Sequence, residues 1–296
     1  MARHAAAQTA LGPMVLSAVE FNEAPRHRLV DDDLAVKFLP AGMRVSVVAT
    51  RWPALRRALI TANEWVGPGT WAMMTGRKHF IDDHLTSALN SIDAVVILGA
   101  GLDTRGYRLA RYSDLPVFEV DQDVNIVRKA AAVRRALGAQ PTSVHLVAVD
   151  FERDDLMTVL EEHGYHGDAR TFFIWEGVTQ YLTPKAVRAT MDQLSGAAAG
   201  SRLVFTYVCQ DFIEGRTMYG NSRLYRRFRE RSQLWKSGLD PATVAEFLGE
   251  FDWQLVEQTD PDYYQQRYLQ PAGRTLTASA LERTVYAEKV SVPDRP

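Results

Sequence analysis

The chain has 296 residues, of which 46% are hydrophobic and 24% charged, a balance ordinary for a globular protein with a large core. Its 34 basic and 36 acidic side chains leave a formal net charge of -2, so neither a global positive field suited to nucleic acid nor the acidity of a disordered tail is present. One cysteine, Cys209, excludes an internal disulfide and a cysteine-built metal site and fits a reducing cytoplasm, and no apolar run reaches the about 18 residues that span a bilayer.

The first residues, MARHAAAQTALGPMVL, have a weak signal-peptide look. Gln8 and Thr9 interrupt the apolar run, Gly12-Pro13 breaks it and no small-x-small site follows, so the stretch reads as the start of an N-terminal helical segment. Apolar residues at mixed three- and four-residue spacing predict helices over 11–22, 28–39, 51–64 and 77–90. Between them lie the breakers Pro25, Pro40, Gly42, Pro53 and Gly67-Pro68-Gly69.

The pattern then changes. Short runs rich in Val, Ile and Phe, at Ala94–Leu98, Val117–Val120, Val144–Val149, Thr171–Trp175 and Arg202–Val208, alternate with helical stretches. These are Tyr107–Arg111, Val124–Leu137, Asp154–His163 and Pro184–Ala198. Strands alternating with helices predict βαβ units and a parallel sheet, and near-continuous apolar strands predict cover on both faces. A mostly helical insertion, 211–236, follows. It carries RLYRRFRER at 223–231, which at helical spacing reads as an amphipathic lid with a solvated basic face rather than a nucleic-acid patch. A helix Pro241–Gly249, with Pro241 first, then strands Gln254–Gln258 and Thr284–Val290 joined by a long loop, complete the chain.

The organisation predicted is one domain over 1–296. It comprises a helical cap (1–90), a cofactor-binding core (91–208), a lid (209–240) and a C-terminal helix with two strands (241–290). The fold class is α/β: a Rossmann-like, doubly wound, mostly parallel seven-stranded sheet.

The strongest local signal is Val95-Val96-Ile97-Leu98-Gly99-Ala100-Gly101-Leu102-Asp103-Thr104-Arg105, a buried strand running into a glycine turn that permits close backbone approach to a ligand. The next strand ends in Asp121, a carboxylate suited to ribose hydroxyls. The third ends Val149-Asp150-Phe151, where Asp150 can accept from an adenine amine and Phe151 can pack on its face. The fourth ends Trp175-Glu176-Gly177. Four strands in succession thus deliver a polar or glycine residue to one edge. A dinucleotide site wants G-x-G-x-x-G, but Thr104 stands at the third glycine and Asp103 would repel a pyrophosphate. S-adenosylmethionine carries no phosphate and meets neither obstacle. Its carboxylate could pair with an upstream arginine.

The runs LGAGLDTRGYRL, FEVDQ, VAVDF and EGVTQYL closely resemble the leucine carboxyl methyltransferase-like family, in particular its actinobacterial S-adenosylmethionine-dependent branch. The resemblance covers roughly residues 9–290. It implies a class I methyltransferase fold and the product S-adenosylhomocysteine. It also implies that Arg77 grips the methionine carboxylate, Gly99 lies beside the methionine, Asp121 holds the ribose, Asp150 and Phe151 the adenine, and that Glu176 lies close to the donor. Three departures bear on the acceptor rather than the donor. Leu16-Ser17-Ala18-Val19-Glu20 and Asp32-Asp33 stand where relatives read R-A-x-E and D-P, Phe151 replaces leucine, and Trp175 and Gln180 are unusual.

No catalytic residue is assigned. Glu176, His79 and Tyr181 are candidates, and His79 and His84 share a segment with Asp82 and Asp83 that reads either as a His–Asp pair or as a polar helix face. Tyr181, Tyr207, Tyr219 and Tyr225 read as lining an acceptor cavity or lid. Cys209 reads as a small buried residue rather than a nucleophile. The function expected is S-adenosylmethionine-dependent O-methylation of a carboxylate or hydroxyl on a small molecule, without metal, nucleic acid or membrane. An NAD(P)-dependent oxidoreductase and a non-catalytic S-adenosylmethionine-binding protein are the alternatives.

Overall fold

The structure is a computed structural model that describes residues 11–290, so the expectation of a helical start over residues 1–10 lies outside the described residues. The cap begins with α1 (Leu11–Glu20), continues through α2 (Ala35–Phe38), α3 (Ala41–Ala49) and α4 (Pro53–Val66), and ends in α5 (Thr70–Ala88). Most of the helix predicted over 28–39 is irregular chain. Leu29, Val30, Leu34 and Phe38 are buried, as their spacing requires, but polar side chains take the backbone out of the helix. The Leu29 amide donates to buried Glu20 at 3.1 Å, and Asp32 Oδ1 accepts from the amides of Leu34 and Ala35, an Asx turn. Gly42 does not break the chain and lies within α3. Helix α5 starts at Thr70, seven residues earlier than its periodicity predicts, behind Gly69 at φ +75°, where a Cβ would stand 2.6 Å from the Ser279 amide nitrogen.

The alternating unit follows: β1 (Ala94–Leu98), α6 (Arg105–Leu109), β2 (Val117–Asp121), α7 (Asp123–Leu137), β3 (Val144–Ala148), α8 (Leu156–Glu162), β4 (Thr171–Trp175), α9 (Pro184–Leu194) and β5 (Arg202–Val208). Next come α10 (Gln210–Ile213) and α11 (Ser222–Tyr225), the latter continued by a π turn (Arg226–Arg231). Then come α12 (Val244–Gly249), β6 (Trp253–Gln258), α13 (Pro261–Tyr264) with a second π turn (Gln265–Leu269), and β7 (Glu282–Lys289). Thr183 caps α9 by accepting from the Ala186 amide. Asp240 makes an Asx turn with Ala242, so Pro241 lies in a turn before α12 rather than opening it. The segment 259–283 is not all loop. Asp260 accepts from the Tyr263 amide at 2.7 Å and Pro261 stands at the first helical position, a start signal the sequence already carried.

The strands form one sheet in the order β3-β2-β1-β4-β5-β7-β6, parallel except for β7, which runs antiparallel between β5 and β6. Residues two apart share a face. Val95, Ile97, Phe172 and Ile174 face the cap helices, while Val96, Leu98, Phe118 and Phe173 face α8 and α9. Chain order reverses between β1 and β4, which opens a crevice at the carboxyl ends of those strands.

Candidate active site

The crevice is built first by backbone. At the tip of β1, Gly99 (φ +70°) and Gly101 (φ +45°) take left-handed conformations, and the amides of Gly99 and Ala100 both donate to the Val120 carbonyl, at 2.7 and 2.9 Å. A Cβ on Gly99 would stand 2.3 Å from a Val178 methyl, so only glycine fits. Beside it Asp121, 7% exposed, accepts from the Gly101 amide at 2.7 Å through Oδ2, and through Oδ1 from the Gln122 amide and Asn125 Nδ2. The carboxylate therefore both braces the glycine turn and shapes the entry to α7.

Arg77, projecting from the middle of α5, reaches the tip of β4. Its Nε donates to Glu176 at 2.9 Å, and its Nη1 to both oxygens of Glu282, at 2.7 and 2.9 Å. Its Nη2 lies beside Gly177 (φ +68°), 3.2 Å from where a Cβ would stand. Glu176 also accepts from Arg105 Nη1 at 2.7 Å, and Lys78 Nζ lies 3.4 Å away. Burial would raise the Glu176 carboxyl, but Lys78, Arg105 and Arg77 outweigh it and hold it well below the usual carboxylate range. Arg105 bonds in addition to Asp103 and Asp82, each at 2.5 Å, and Arg108 bonds to Asp82 at 2.9 Å. Asp103 Oδ1 takes the Arg105 amide at 2.7 Å, one of the free donors at the start of α6. The Gly177 amide donates to Thr206 Oγ1, tying the tips of β4 and β5 together.

Arg77, Gly99, Gly101, Asp121 and Glu176 therefore converge on one edge. Asp150 and Phe151 follow β3 on that edge. Asp150 accepts from the Glu152 amide at 3.2 Å within its turn, and Phe151 packs partly buried against the α8–α9 side of the core. Of the candidate bases, His79 directs Nδ1 to the Leu29 carbonyl at 2.7 Å, its Nε2 is 3.7 Å from Asp83, and its ring meets Tyr268 edge-on. Asp82 takes no part with either histidine, because Arg105 and Arg108 hold it. His84 stacks on Tyr286, and burial lowers its pKa.

Tyr181 is partly buried against the cap-side core. Tyr207 donates to Gln258, Tyr219 to Asp211, and Tyr225 packs against Phe212. Cys209 is fully buried, and burial pushes its thiol up to about 11, which leaves it no thiolate at neutral pH. Trp175 is a core residue. Gln180 is buried, and its main-chain carbonyl takes the Lys236 amide, fastening the end of the lid. Two cavities, of about 160 Å³ beside Thr179, Tyr207 and Leu239 and about 260 Å³ beside His84, Glu257 and Tyr263, are lined by other residues than the five that converge.

Sequence reading missed Glu282, Arg105 and Lys129. Arg105 and its partner Asp103 stand in the glycine motif itself. Lys129, wholly buried, bonds to Glu119 at 2.8 Å and to the Ala100 carbonyl at 3.3 Å, and Tyr107 donates to Glu119 at 2.8 Å. Burial pushes the Glu119 carboxyl up to about 7 against the pull of Lys129. A lysine and a glutamate on opposite sides of a strand–helix turn give no local sign of pairing. Glu282 lies 205 residues from Arg77, and no spacing connects them.

Strand order, the antiparallel β7 and the acidic strand tips define the class I methyltransferase fold. A crystal structure of a methyltransferase-named protein from Thermobifida fusca superposes with a TM-score of 0.57 at 18% identity, over 80% of this chain and 89% of that one. A DUF574-family protein from Streptomyces avermitilis gives 0.55 at 14% identity, over 79% and 90%. The model of the leucine carboxyl methyltransferase family matches residues 10–195, and the chain belongs to that family. A Mycolicibacterium smegmatis protein named among S-adenosyl-L-methionine-dependent methyltransferases is 34% identical over 203 residues, 65% of this chain and 65% of that protein's length. A Mycobacterium sp. (strain KMS) protein of the same name is 34% identical over 227 residues, 73% of each.

Proposed function

We propose that this chain transfers a methyl group from S-adenosylmethionine to an oxygen of a small molecule, with a carboxylate as the acceptor the site suits best. The observation that carries the reading is Asp103 in the turn that leads into α6. In a dinucleotide site that turn offers its amides to a pyrophosphate. Here the Asp103 carboxylate takes the Arg105 amide, and Arg105 itself is engaged by three carboxylates. A phosphate would meet negative charge and no uncommitted arginine at this point. An adenosine joined to an amino acid meets no such conflict. Asp121 would take the ribose, Asp150 and Phe151 the adenine, Gly99 would lie along the methionine, and Arg77 would offer Nη2 to its carboxylate.

The cofactor supplies an activated methyl on sulfur, so the protein's part is alignment and the exclusion of water. Glu176, pinned by three cations, is a poor proton acceptor. A carboxylate acceptor is ionised at neutral pH and needs no base. This favours carboxyl over hydroxyl methylation. No helix among the described residues is long and apolar enough to cross a membrane, and the single buried cysteine fits a reducing compartment.

The test is unfolding temperature with S-adenosylmethionine, S-adenosylhomocysteine, NAD and NADP, followed by methyl transfer to a panel of carboxylates and phenols. At about 100 times Kd, ligand adds about 2.7 kcal/mol of stability. Stabilisation by NAD alone would return the oxidoreductase reading. Donor binding with no turnover on any acceptor, together with slow, acceptor-independent loss of the donor, would favour a binding protein.

A further inference from the structure

Among the described residues, helices α3 and α4 and the turn between them carry much of the large apolar surface left in water. Trp52 is 74% exposed, Val45 73% and Trp65 67%, with Met43, Val48 and Leu55 exposed nearby. Helix α3 reads AGMRVSVVA, and of its residues only Val47 is buried. A helix apolar nearly all round is normally found inside a core or in lipid. Scattered apolar residues need no explanation, whereas a concentration on one pair of helices marks an interaction site.

The charges beside this surface have one sign. Residues 41–66 contain Arg44, Arg51, Arg56 and Arg57 against Glu64 alone. Glu64 is engaged by the amides of Gly69 and Trp71, and Arg56 is paired with Glu23. The basic stretch of the lid joins the surface at Trp65, where the Arg223 guanidinium lies 3.9 Å from the centre of the indole ring. Residues 222–231 hold five arginines against Glu230. In a protein of net charge -2, the exposed surface of residues 41–66 and the lid segment that meets it at Trp65 are therefore apolar and basic together.

We infer that this face docks on an anionic lipid surface, with α3 and the indoles of Trp52 and Trp65 entering the boundary between headgroups and acyl chains and the flanking arginines meeting the headgroups. A nucleic acid would satisfy the arginines and leave Val45, Val48 and Met43 wet. A second copy would bring like charges together. The same face adjoins the candidate site. It passes through Gly67-Pro68-Gly69 directly into α5, which carries Arg77, and Asn221 of the lid donates to the Pro68 carbonyl at 3.2 Å. Docking would thus hold the crevice close to amphiphilic acceptors. This last point rests on the methyltransferase reading; the docking does not.

The test is co-sedimentation of the full chain with vesicles of phosphatidylglycerol and phosphatidylcholine and with vesicles of phosphatidylcholine alone, at low and high salt. The expected result is binding to the anionic vesicles that weakens with salt and falls by roughly tenfold or more in V45S/W52S, with a similar fall in R51E/R57E. Unchanged unfolding temperature and unchanged S-adenosylhomocysteine affinity would show that both variants are folded. That second readout also separates the claims, since loss of vesicle binding with cofactor binding intact concerns this face alone. Three outcomes would overturn the inference: equal binding to neutral and anionic vesicles, binding untouched by V45S/W52S, or a concentration-dependent dimer that W52S dissolves. Duplex DNA binding as tight as vesicle binding, and indifferent to V45S/W52S, would make the face a polyanion patch instead.

Discussion

At Asp121 two demands meet in one side chain. Its oxygens already accept from Gly101, Gln122 and Asn125, so it shapes the turn that would receive the donor. Asp121→Ala leaves those donors unpaired, at about 1–3 kcal/mol for a buried group, and is expected to weaken S-adenosylhomocysteine binding at least tenfold by calorimetry. Wild-type affinity in that variant would remove Asp121 from the site. Gly99→Ala forces a Cβ into Val178 in a left-handed conformation. A loss of about 1–3 kcal/mol in urea unfolding is expected, with cofactor binding lost.

Glu282→Gln removes the charge that, with Glu176, fixes Arg77. The prediction is a several-fold rise in S-adenosylmethionine Kd, and a double-mutant cycle with Glu176→Gln should show coupling, because both act through one guanidinium. Asp121, Gly99 and Glu176 were legible in the sequence because each ends a strand, and strand ends in a doubly wound sheet converge whatever the details. Glu282 was not, because its strand is a weak C-terminal signal and its partner lies in the cap.

Among the elements, the central strands were legible nearly to the residue. Each is a short run dominated by Val, Ile, Leu and Phe, and the few polar residues within them, such as Glu119, do not break the run. The cap and lid were less so. Over 28–39 helical periodicity was real, but buried Glu20 and the Asx turn of Asp32 overrode it. In the lid, two four-residue helices and a π turn stand where a longer helical insertion was expected. Asn221 holds that segment by donating to the carbonyls of Pro68 and Tyr219 and to Ser279 Oγ, joining cap, lid and the chain before β7. Asn221→Ala is expected to speed proteolytic cleavage within 209–240 severalfold while lowering the unfolding midpoint only modestly, because Phe212, Ile213, Leu234 and Trp235 still anchor both ends of the lid in the core.

For the molecule as a whole, cap and sheet share one apolar core, in which Leu34 and Phe38 of the cap meet Tyr107 and Val133. A single calorimetric transition is therefore expected for residues 11–290. Its pH dependence has two parts of opposite sign. Asp82 and Glu176 have carboxyls held low in the folded state, so their contribution is present above about pH 4 and lost as pH falls through their folded values. Glu119, pushed up to about 7, contributes below about pH 4 and loses that contribution as pH rises toward about 7. Stability should thus collapse on acidification, and Glu119→Gln should flatten the slope between about pH 4 and 7, read by urea titration at several pH values. An unchanged slope would mean that Glu119 is not strained in the native fold.

The sequence by itself determined the sheet, its glycine turn and the acids at its edge, because strand propensity, alternation and turn chemistry act over a few residues. Tertiary structure alone decided which charges pair. The Arg77–Glu282 bond and the meeting of the arginine-rich lid with the cap at Trp65 arise only when segments far apart in the chain are packed together, and the Lys129–Glu119 pair only when α7 folds back on β2; no local period encodes either.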